Sequence, residues 1–421
     1  EQEVSAPQSF GRIPLHLVKD IFKWTNGTRY YANHVPFAPT CLGKVMPELA
    51  LVSRGWLKVI SQLVKDHEAA DMYFPFETGS EDEVNKLYAT MELHGSLVKH
   101  HELKMGERTD TSTFVVEEDL DGIDEVEIDW DRVFRCCPKL LRLELGSMPL
   151  HSVHLGAILA AASTHCPHTQ ALILLLMEFP KPDHEKLQPN FVQLTKALER
   201  WYKGSLNLGL LQLTVPHRFN RRDDQRQRVI ESTDAYLTAI ATFCPNLEHF
   251  DAWDVTNAEA SCIYSGEMVF SSLSAWKNFC KSTTKLRGFS WFTVLLDNRY
   301  LQIFGKYPKP QLATMTLGCG NESSWSSYLR DAEYLDPRGF RFSAKWLGEM
   351  LAVSPALKRL SIPIDGEKCW RMEEAKSAIN DDFLVALAQH CKDLEILNVN
   401  EFICHSSETP EIDFVTEGSV R

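Results

Sequence analysis

Apolar residues recur along the chain in one arrangement, Leu-x-x-Leu-x-Leu, which follows a short turn that often begins with Cys. The arrangement is clearest at 137–145, 244–252 and 391–399, and weaker copies lie between these segments. Three equal intervals in succession between its middle apolar residues indicate an internal repeat, and apolar–polar alternation at its end is typical of a short strand. The middle residues, at intervals of 29, 39, 39, 39, 26, 45 and 37, are Leu143, Leu172, Leu211, Phe250, Phe289, Met315, Leu360 and Leu397.

Stretches with helical spacing of their apolar residues precede most copies of this arrangement. The repeated unit is therefore predicted to be a helix, a turn and a strand, which can bury its apolar face only against neighbours of the same kind. The sequence predicts an α/β solenoid in which a parallel sheet lines the concave side and helices lie outside. The helical stretches are 155–163, 191–202, 235–243, 273–279, 344–352 and 383–390.

This pattern resembles the leucine-rich-repeat family, in particular its cysteine-containing subtype, in which a Cys after the helix precedes Leu-x-x-Leu-x-Leu. The resemblance extends from about 124 to 400. Most intervals exceed the roughly 20–29 residues usual for such repeats, which implies longer helices or loops and an irregular arc. Alternating helices and strands would also fit an ordinary α/β domain with a doubly wound sheet, so that alternative stays open at this point.

Two apolar helices are predicted ahead of the repeats. The first, at 13–22, has a Pro in its first turn, and the second spans 49–60. With Asp20-Ile21-Phe22 ending the first helix and Ala50-Leu51-Val52-Ser53-Arg54-Gly55-Trp56 in the second, these pieces resemble the F-box. The interval between the two helices is longer than that family normally carries, so a loop is predicted to be inserted at about 26–46.

The F-box resemblance implies that this all-α module binds a Skp-type adaptor and, through it, a cullin. A module of this size has too little interior to bury so many apolar side chains, so a partner is expected to cover some of them. The competing interpretation is that the helices only cap the first repeat of the solenoid. The residues that correspond to the adaptor-binding or core positions of the family are Pro14, Leu17, Ile21, Phe22, Val52 and Trp56.

The chain is thus divided into four parts. The F-box-like module occupies 1–66, and 67–123 is a transition with room for irregular first repeats and an acidic loop. The solenoid is predicted at 124–404 and a C-terminal tail at 405–421.

The strand residues between the buried leucines are predicted to face the concave side, because side chains alternate along a strand. This face is where a protein substrate is expected to bind, with the aromatic residues Trp253 and Phe292 on adjacent repeats as its anchors. Burial of both aromatics beneath neighbouring loops is the alternative. The predicted substrate-binding residues are Glu144, Gln212, His249, Asp251, Trp253, Ser290, Phe292, Asn398 and Asn400.

The charge and the cysteines restrict the partners and the compartment. A formal net charge of −13 repels phosphate backbones and anionic membrane surfaces and favours a basic protein partner, so neither nucleic acid nor a membrane is expected. No run of 18 apolar residues is present, and residues 1–10 lack the profile of a signal peptide. The 11 cysteines are an odd number without a tight framework, so we expect reduced thiols in the cytoplasm or nucleus.

Candidate chemistry is weak throughout the sequence. The segment His165-Cys166-Pro167-His168 has only a loose metal-ligand spacing, and Cys166 stands at a packing position of the repeat. The segment Gly318-Cys319-Gly320 lacks the remainder of a phosphate-binding motif, and neither a nucleophile elbow nor a kinase motif occurs. We therefore predict no catalytic residue, no metal and no cofactor.

Together these features predict a non-catalytic substrate-recognition subunit of a cullin-RING (SCF-type) ubiquitin ligase. The adaptor would bind the N-terminal helices, and the concave face would bind a protein substrate. A leucine-rich-repeat scaffold or inhibitor without any connection to a cullin is the alternative. An enzyme whose site is not visible as a motif is a third, weaker option.

Overall fold

The computed structural model describes 14 stretches of the chain, and the predicted F-box-like helices lie outside them apart from the helical residues Leu57 and Lys58. The six predicted adaptor-binding residues are therefore outside the described residues. The described stretches are 57–58, 71–76, 79–105, 126–146, 148, 150–175, 184–215, 226–251, 271–292, 298–318, 344–362, 364–365, 380–398 and 401–402.

Ten strands of the described residues form one sheet in which every neighbouring pair is parallel. Along the sheet the strands follow chain order: β1 (Asp71–Phe76), β2 (His100–Met105), β3 (Arg142–Gly146), β4 (Ala171–Leu175), β5 (Gln212–Thr214), β6 (His249–Asp251), β7 (Gly288–Phe292), β8 (Thr314–Gly318), β9 (Arg359–Ser361) and β11 (Ile396–Asn398). A second, two-stranded parallel sheet joins β10 (Ile364–Asp365) to β12 (Glu401–Phe402).

Within the described residues, one α-helix lies between each consecutive pair of strands in the large sheet. The helices are α1 (Glu81–His94), α2 (Trp130–Arg135), α3 (Val153–His165), α4 (His184–Gly204), α5 (Arg226–Phe243), α6 (Leu273–Ser282), α7 (Asn298–Phe304), α8 (Ala344–Ala352) and α9 (Asp381–His390). A doubly wound sheet reverses its strand order at a switch point, whereas this order never reverses. The architecture is therefore an α/β solenoid of the leucine-rich-repeat type.

Polar side chains start several of these helices at the positions where local sequence favours a start. Ser80 and Glu83 form a reciprocal capping box at α1, in which each side chain accepts a hydrogen bond from the backbone N–H of the other residue. The further N-caps whose side chains accept a backbone N–H are Asp129, Ser152, Ser272 and Asn380.

The repeat pattern positions one apolar residue of each strand in register with the next. Seven of the eight predicted middle residues align in this ladder, and the prediction is wrong for Leu211. Leu213 takes that place, which it shares with Leu172 on one side and Phe250 on the other. Because the shift is by two residues, it keeps the face of every side chain and changes only the alignment with neighbouring repeats.

The sheet also extends N-terminal of residue 124. The range 67–123, predicted as a transition, contributes β1 and β2, and these strands continue the register of β3 without a break. Their inward side chains belong to the same continuous hydrophobic core as the later repeats, as the burial of Phe74 and Leu103 shows.

A buried turn joins most helices to the following strand. Its first residue stands six positions before the inward residue of the ladder, and in several repeats its side chain donates to a carbonyl of a helix or of the preceding turn, in addition to the backbone N–H that the carbonyl already accepts. Thr283 Oγ1 donates to the Phe279 carbonyl at 2.8 Å, and Cys166 Sγ donates to the Cys137 carbonyl at 3.2 Å. The first residues of these turns, all buried, are Cys137, Cys166, Cys244, Thr283, Lys309, Ser354 and Cys391.

In the described part of the chain, no helix has the length and apolar character needed to cross a bilayer.

Candidate functional site on the helix-free face

The side of the sheet turned away from the described helices α1–α9 is called the helix-free face. Its residues alternate with the buried ladder residues and form two rows across the sheet. The first row is Asp71, His100, Arg142, Ala171, Gln212, His249, Gly288, Thr314, Arg359 and Ile396, and the second is Tyr73, Glu102, Glu144, Ile173, Thr214, Asp251, Ser290, Thr316, Ser361 and Asn398.

Seven of the nine predicted substrate-binding residues fall on the described strands. Asp251 and Phe292 are placed by backbone alone, and Trp253 and Asn400 lie outside the described residues. Glu144 and Asn398 are partly exposed. The three predicted residues that are buried are Gln212, His249 and Ser290.

The shift at β5 also changes which residue stands beside the predicted contacts. Thr214, and not Gln212, is in register with Ile173 and Asp251. Gln212 belongs to the first row, beside Ala171 and His249. The sequence pattern assigned Gln212 to the second row because Leu211 was taken as the ladder residue.

A buried ion-pair cluster lies on this face at β2 and β3. Arg142 donates to Glu144 Oε2 through Nε at 3.1 Å and through Nη2 at 2.5 Å. A third donor of the same guanidinium, Nη1, reaches Gln212 Oε1 at 3.5 Å. His100 Nε2 is 3.6 Å from Glu144 Oε2, so Glu144 has a basic group on its own strand and another on β2.

The cluster keeps Glu144 ionised despite its burial. Burial alone would raise the pKa of this carboxyl, but the facing His100 and the Arg142 guanidinium outweigh that effect and lower the pKa below its usual value. Arg142 is almost fully buried, and the Glu144 side chain retains only a small exposed fraction. The charges of Arg142 and Glu144 therefore largely neutralise each other within the sheet. The ion-pair cluster is a fixed polar surface with little net charge.

Sequence reasoning missed the basic half of this cluster. Arg142 and Glu144 are two residues apart on one strand, which places both side chains on the same face, so the Arg-x-Glu spacing was a usable signal. His100 had no such signal, because β2 was not recognised as part of the repeat.

Close packing fixes another residue of the face, His249. Its ring lies over Gly288 of the next strand, where a Cβ would stand 2.7 Å from His249 Nδ1. Any larger residue at 288 would therefore push the imidazole away. The position of His249 depends on the absence of a side chain on its neighbour.

Four buried thiols are held in the protonated form. Burial raises the pKa of Cys244 to about 12 and that of Cys391 to about 11, and it also raises the pKa of Cys280. The pKa of Cys166 is raised by its contact with Cys137 and by burial. A protonated thiol is a poor nucleophile, so these residues contribute hydrogen bonds and packing.

Within the described stretches, no group of three or more His, Cys, Asp and Glu residues could hold a metal ion. Cys166 donates to the Cys137 carbonyl, and His165 Nε2 lies 2.7 Å from Asp131 Oδ1. His165 and Cys166, the first two residues of the His-Cys-Pro-His segment, therefore each have a partner within the protein.

Comparisons with known proteins give no family. No family model matches the chain, and no curated protein matches it. Among solved structures, a Bacteroides fragilis protein is 12% identical over 84% of this chain and 84% of its own, with a TM-score of 0.37. The yeast Rad7 and Elc1 complex gives 10% identity over 96% of this chain and 90% of the matched chain, with a TM-score of 0.37.

A leucine-rich-repeat-containing protein of Legionella pneumophila, LegL7, is 12% identical over 77% of this chain and 97% of its own, with a TM-score of 0.29. At this identity and these TM-scores, none of the three likenesses bears on function. The solenoid assignment rests on the chain's own strand order, parallel pairing and leucine ladder.

Proposed function

We propose that the chain is the substrate-recognition subunit of a cullin-RING (SCF-type) ubiquitin ligase. The observation that carries the proposal is the order of its parts, an F-box-like sequence followed by a solenoid of leucine-rich-repeat type. In this role the N-terminal helices bind a Skp-type adaptor, and other subunits of the ligase transfer ubiquitin. The chain acts by holding a bound substrate close to the conjugating enzyme that carries ubiquitin.

The solenoid suits this role because a single continuous hydrophobic core runs through its repeats. Each strand of the large sheet is paired in register with its neighbours, so the helix-free face is a fixed surface with defined residue positions. A substrate bound there would be held at a set position on the solenoid. The substrate proposed for this face is a basic protein, in keeping with the net charge of −13.

A pull-down with a purified Skp-type adaptor tests the proposal. Val52→Asp together with Trp56→Asp places two charges in the predicted adaptor-binding helix, and we expect adaptor capture to fall at least tenfold. The matched control is Leu206→Asp with Leu208→Asp, which changes two exposed apolar residues elsewhere on the chain. Capture that is equal in all three proteins would contradict the adaptor role and favour a scaffold or inhibitor without a cullin.

A second experiment separates substrate binding from adaptor binding. Trp253→Ala with Phe292→Ala is expected to abolish substrate capture and to leave adaptor capture unchanged. Capture of substrate and adaptor is measured on the same preparation. If both are lost together, the two aromatics support the structure and do not bind substrate.

A further inference from the structure

The two edge strands of the large sheet differ in how well their inward residues are buried. At the N-terminal end, the inward residues of β1 are buried, with Met72 at 9% exposure. At the C-terminal end, Leu397 occupies the same ladder position and is 37% exposed, and Leu394 is only partly buried. The equivalent residues of the preceding repeat, Leu360 and Leu357, are fully buried. The core of the last repeat is therefore open along one side.

The backbone shows the same interruption. Eight carbonyls at the start of successive strands each accept two N–H groups from the next repeat, at 2.7–3.0 Å. The last such carbonyl is Lys358, which accepts from Glu395 and Ile396. Glu395 is the next member of the series, and its carbonyl has no such partner in the described part of the chain. The carbonyls of the series are those of Lys99, Leu141, Gln170, Leu211, Glu248, Arg287, Ala313 and Lys358.

One segment of this chain fits the open edge by its sequence. Ser406, Thr409, Ile412 and Phe414 reproduce the spacing of a turn and strand in the repeat. The same spacing is filled by Cys166, Thr169, Leu172 and Leu174, so a Thr at the second position has a precedent within the sheet. A Ser at the first position has one too, at Ser354.

We infer that Glu411–Phe414 adds to β11 as a further parallel strand of the large sheet. Ile412 stands beside Leu397 in the inward ladder, and Asp413 stands beside Asn398 on the helix-free face. The Glu411 N–H donates to the Glu395 carbonyl. Pro410 has no N–H to add as a second donor, and a Pro is tolerated at the first position of an edge strand.

The connecting chain is long enough for this addition. Twelve residues, 399–410, separate the two strands, and parallel neighbours need a connection of about a dozen or more. From the end of β12 the chain must return past about six strand residues, or roughly 20 Å. The eight residues 403–410 span up to roughly 27 Å when extended.

Crosslinking between Asn398→Cys and Asp413→Cys tests the pairing, in a Cys404→Ser background. Residues in register on neighbouring strands lie about 5 Å apart, so a short thiol crosslinker should join them within one chain. The matched control pairs Asn398→Cys with Val415→Cys, which shares the face but lies two residues out of register. We expect the in-register pair to crosslink at least tenfold faster, as measured by mass spectrometry of the bridged peptide.

Hydrogen exchange gives a second measurement on unmodified full chain. By alternation, the Leu397 N–H points away from β9, so an added strand protects it. Ile412→Asp with Phe414→Asp is expected to speed exchange at Leu397 at least tenfold and to leave β3 and β4 unchanged. Crosslinks between two chains would assign the edge to a second copy, and no in-register crosslink or an unchanged exchange rate would equally overturn the inference.

Discussion

His101 lies beside Leu143 in the parallel register of β2 and β3, at a position where the leucine ladder turns its side chains into the core. The His101 side chain is fully buried, and its ring centroid is 6.3 Å from that of Phe134. Neither ring nitrogen has a hydrogen-bond partner in the described stretches. Burial, with a smaller contribution from the charge of His100, lowers the pKa of His101 from 6.5 to about 3.

Replacing His101 with Leu is expected to stabilise the solenoid and to reduce its sensitivity to acid. The unfolded chain binds a proton near pH 6.5, whereas the folded chain does so only near pH 3, so stability falls as pH drops below 6.5. The loss attributable to His101 is about 2 kcal/mol between pH 7.5 and pH 5. Urea unfolding of wild type and His101→Leu at both pH values measures it.

His168 provides the control for that experiment, because its side chain is exposed. His168→Leu should leave the pH dependence of unfolding close to that of wild type. Identical pH dependence in His101→Leu and wild type would show that His101 is not the group that takes up the proton on unfolding.

The Arg142–Glu144 pair is expected to show strong coupling between its two residues. Arg142→Met leaves a buried carboxylate without its main partner and should cost about 3–5 kcal/mol. Arg142→Met combined with Glu144→Leu removes both charges, so its cost should be well below the sum of the two single changes. Chemical unfolding of the four proteins at pH 7.5 gives the coupling free energy.

An exposed ion pair of the same sheet is the comparison for this cycle. Lys358 Nζ lies 3.2 Å from Glu395 Oε1, and both side chains are more than half exposed, so Lys358→Met should cost less than about 1 kcal/mol.

The Arg142–Glu144 pair should also depend on pH. The folded-state pKa of Glu144 is lowered, so the contribution of Glu144 to stability is present above pH 4.5 and is lost as pH falls through that folded pKa. Additive costs at Arg142 and Glu144 would contradict the coupling.

The repeat was predictable wherever the ladder residue was a large apolar side chain between polar neighbours. Leu143, Phe250 and Leu360 were placed correctly for this reason. The run Leu210-Leu211-Gln212-Leu213 offers two settings of the same pattern, and only the neighbouring strands decide that Leu213 is the ladder residue. Strand β2 was not predicted, because His101 occupies the position where the repeat pattern has Leu.

The face of each strand residue was predictable for the same reason, but its burial was not. Alternation placed Gln212, His249 and Ser290 on the helix-free face, and the register confirms this placement. Their burial depends on neighbours in space, such as the packing of His249 over Gly288, which no local pattern encodes. The Arg142–His100–Glu144 cluster likewise depends on pairing between β2 and β3.

Lys309 occupies a turn position that Thr283 and Ser354 fill in neighbouring repeats, and its Nζ donates to the Cys280 carbonyl at 2.7 Å. Burial lowers the pKa of Lys309 from 10.5 to about 8, because the interior disfavours the charge. The unfolded chain therefore holds more protons than the folded chain between pH 8 and 10.5, and the contribution of Lys309 to stability rises over that range.

Lys309→Met is expected to remove this pH dependence. The stability difference between wild type and Lys309→Met should shift by about 2 kcal/mol in favour of wild type between pH 8 and pH 10. Differences are compared because other groups titrate in the same range. Lys306→Met, at an exposed position nearby, is the control and should show no comparable shift. If the stability difference between wild type and Lys309→Met did not change between pH 8 and pH 10, the lysine charge would be in solvent and not buried.

The turn between α4 and β5 provides the last prediction, through the contact of Gly209 with Phe243. Gly209 has a φ of +68°, and a Cβ there would stand 2.0 Å from the Phe243 carbonyl oxygen. Gly209→Ala combines a left-handed backbone with a clash against main chain, so it should cost at least about 2 kcal/mol. Urea unfolding measures the cost.

Leu206 supplies a control within the same turn, at a second residue with positive φ. Its φ is +57° and its side chain is almost fully exposed, so Leu206→Gly relieves backbone strain and gives up little burial. The relief and the added freedom of the unfolded chain are of similar size, so the net change should stay within about 1 kcal/mol. If Gly209→Ala were as mild as Leu206→Gly, the turn could move away from Phe243. The alignment of Leu213 with Phe250 would then have to be set by the strands alone, because the turn would no longer hold the start of β5 against the end of α5.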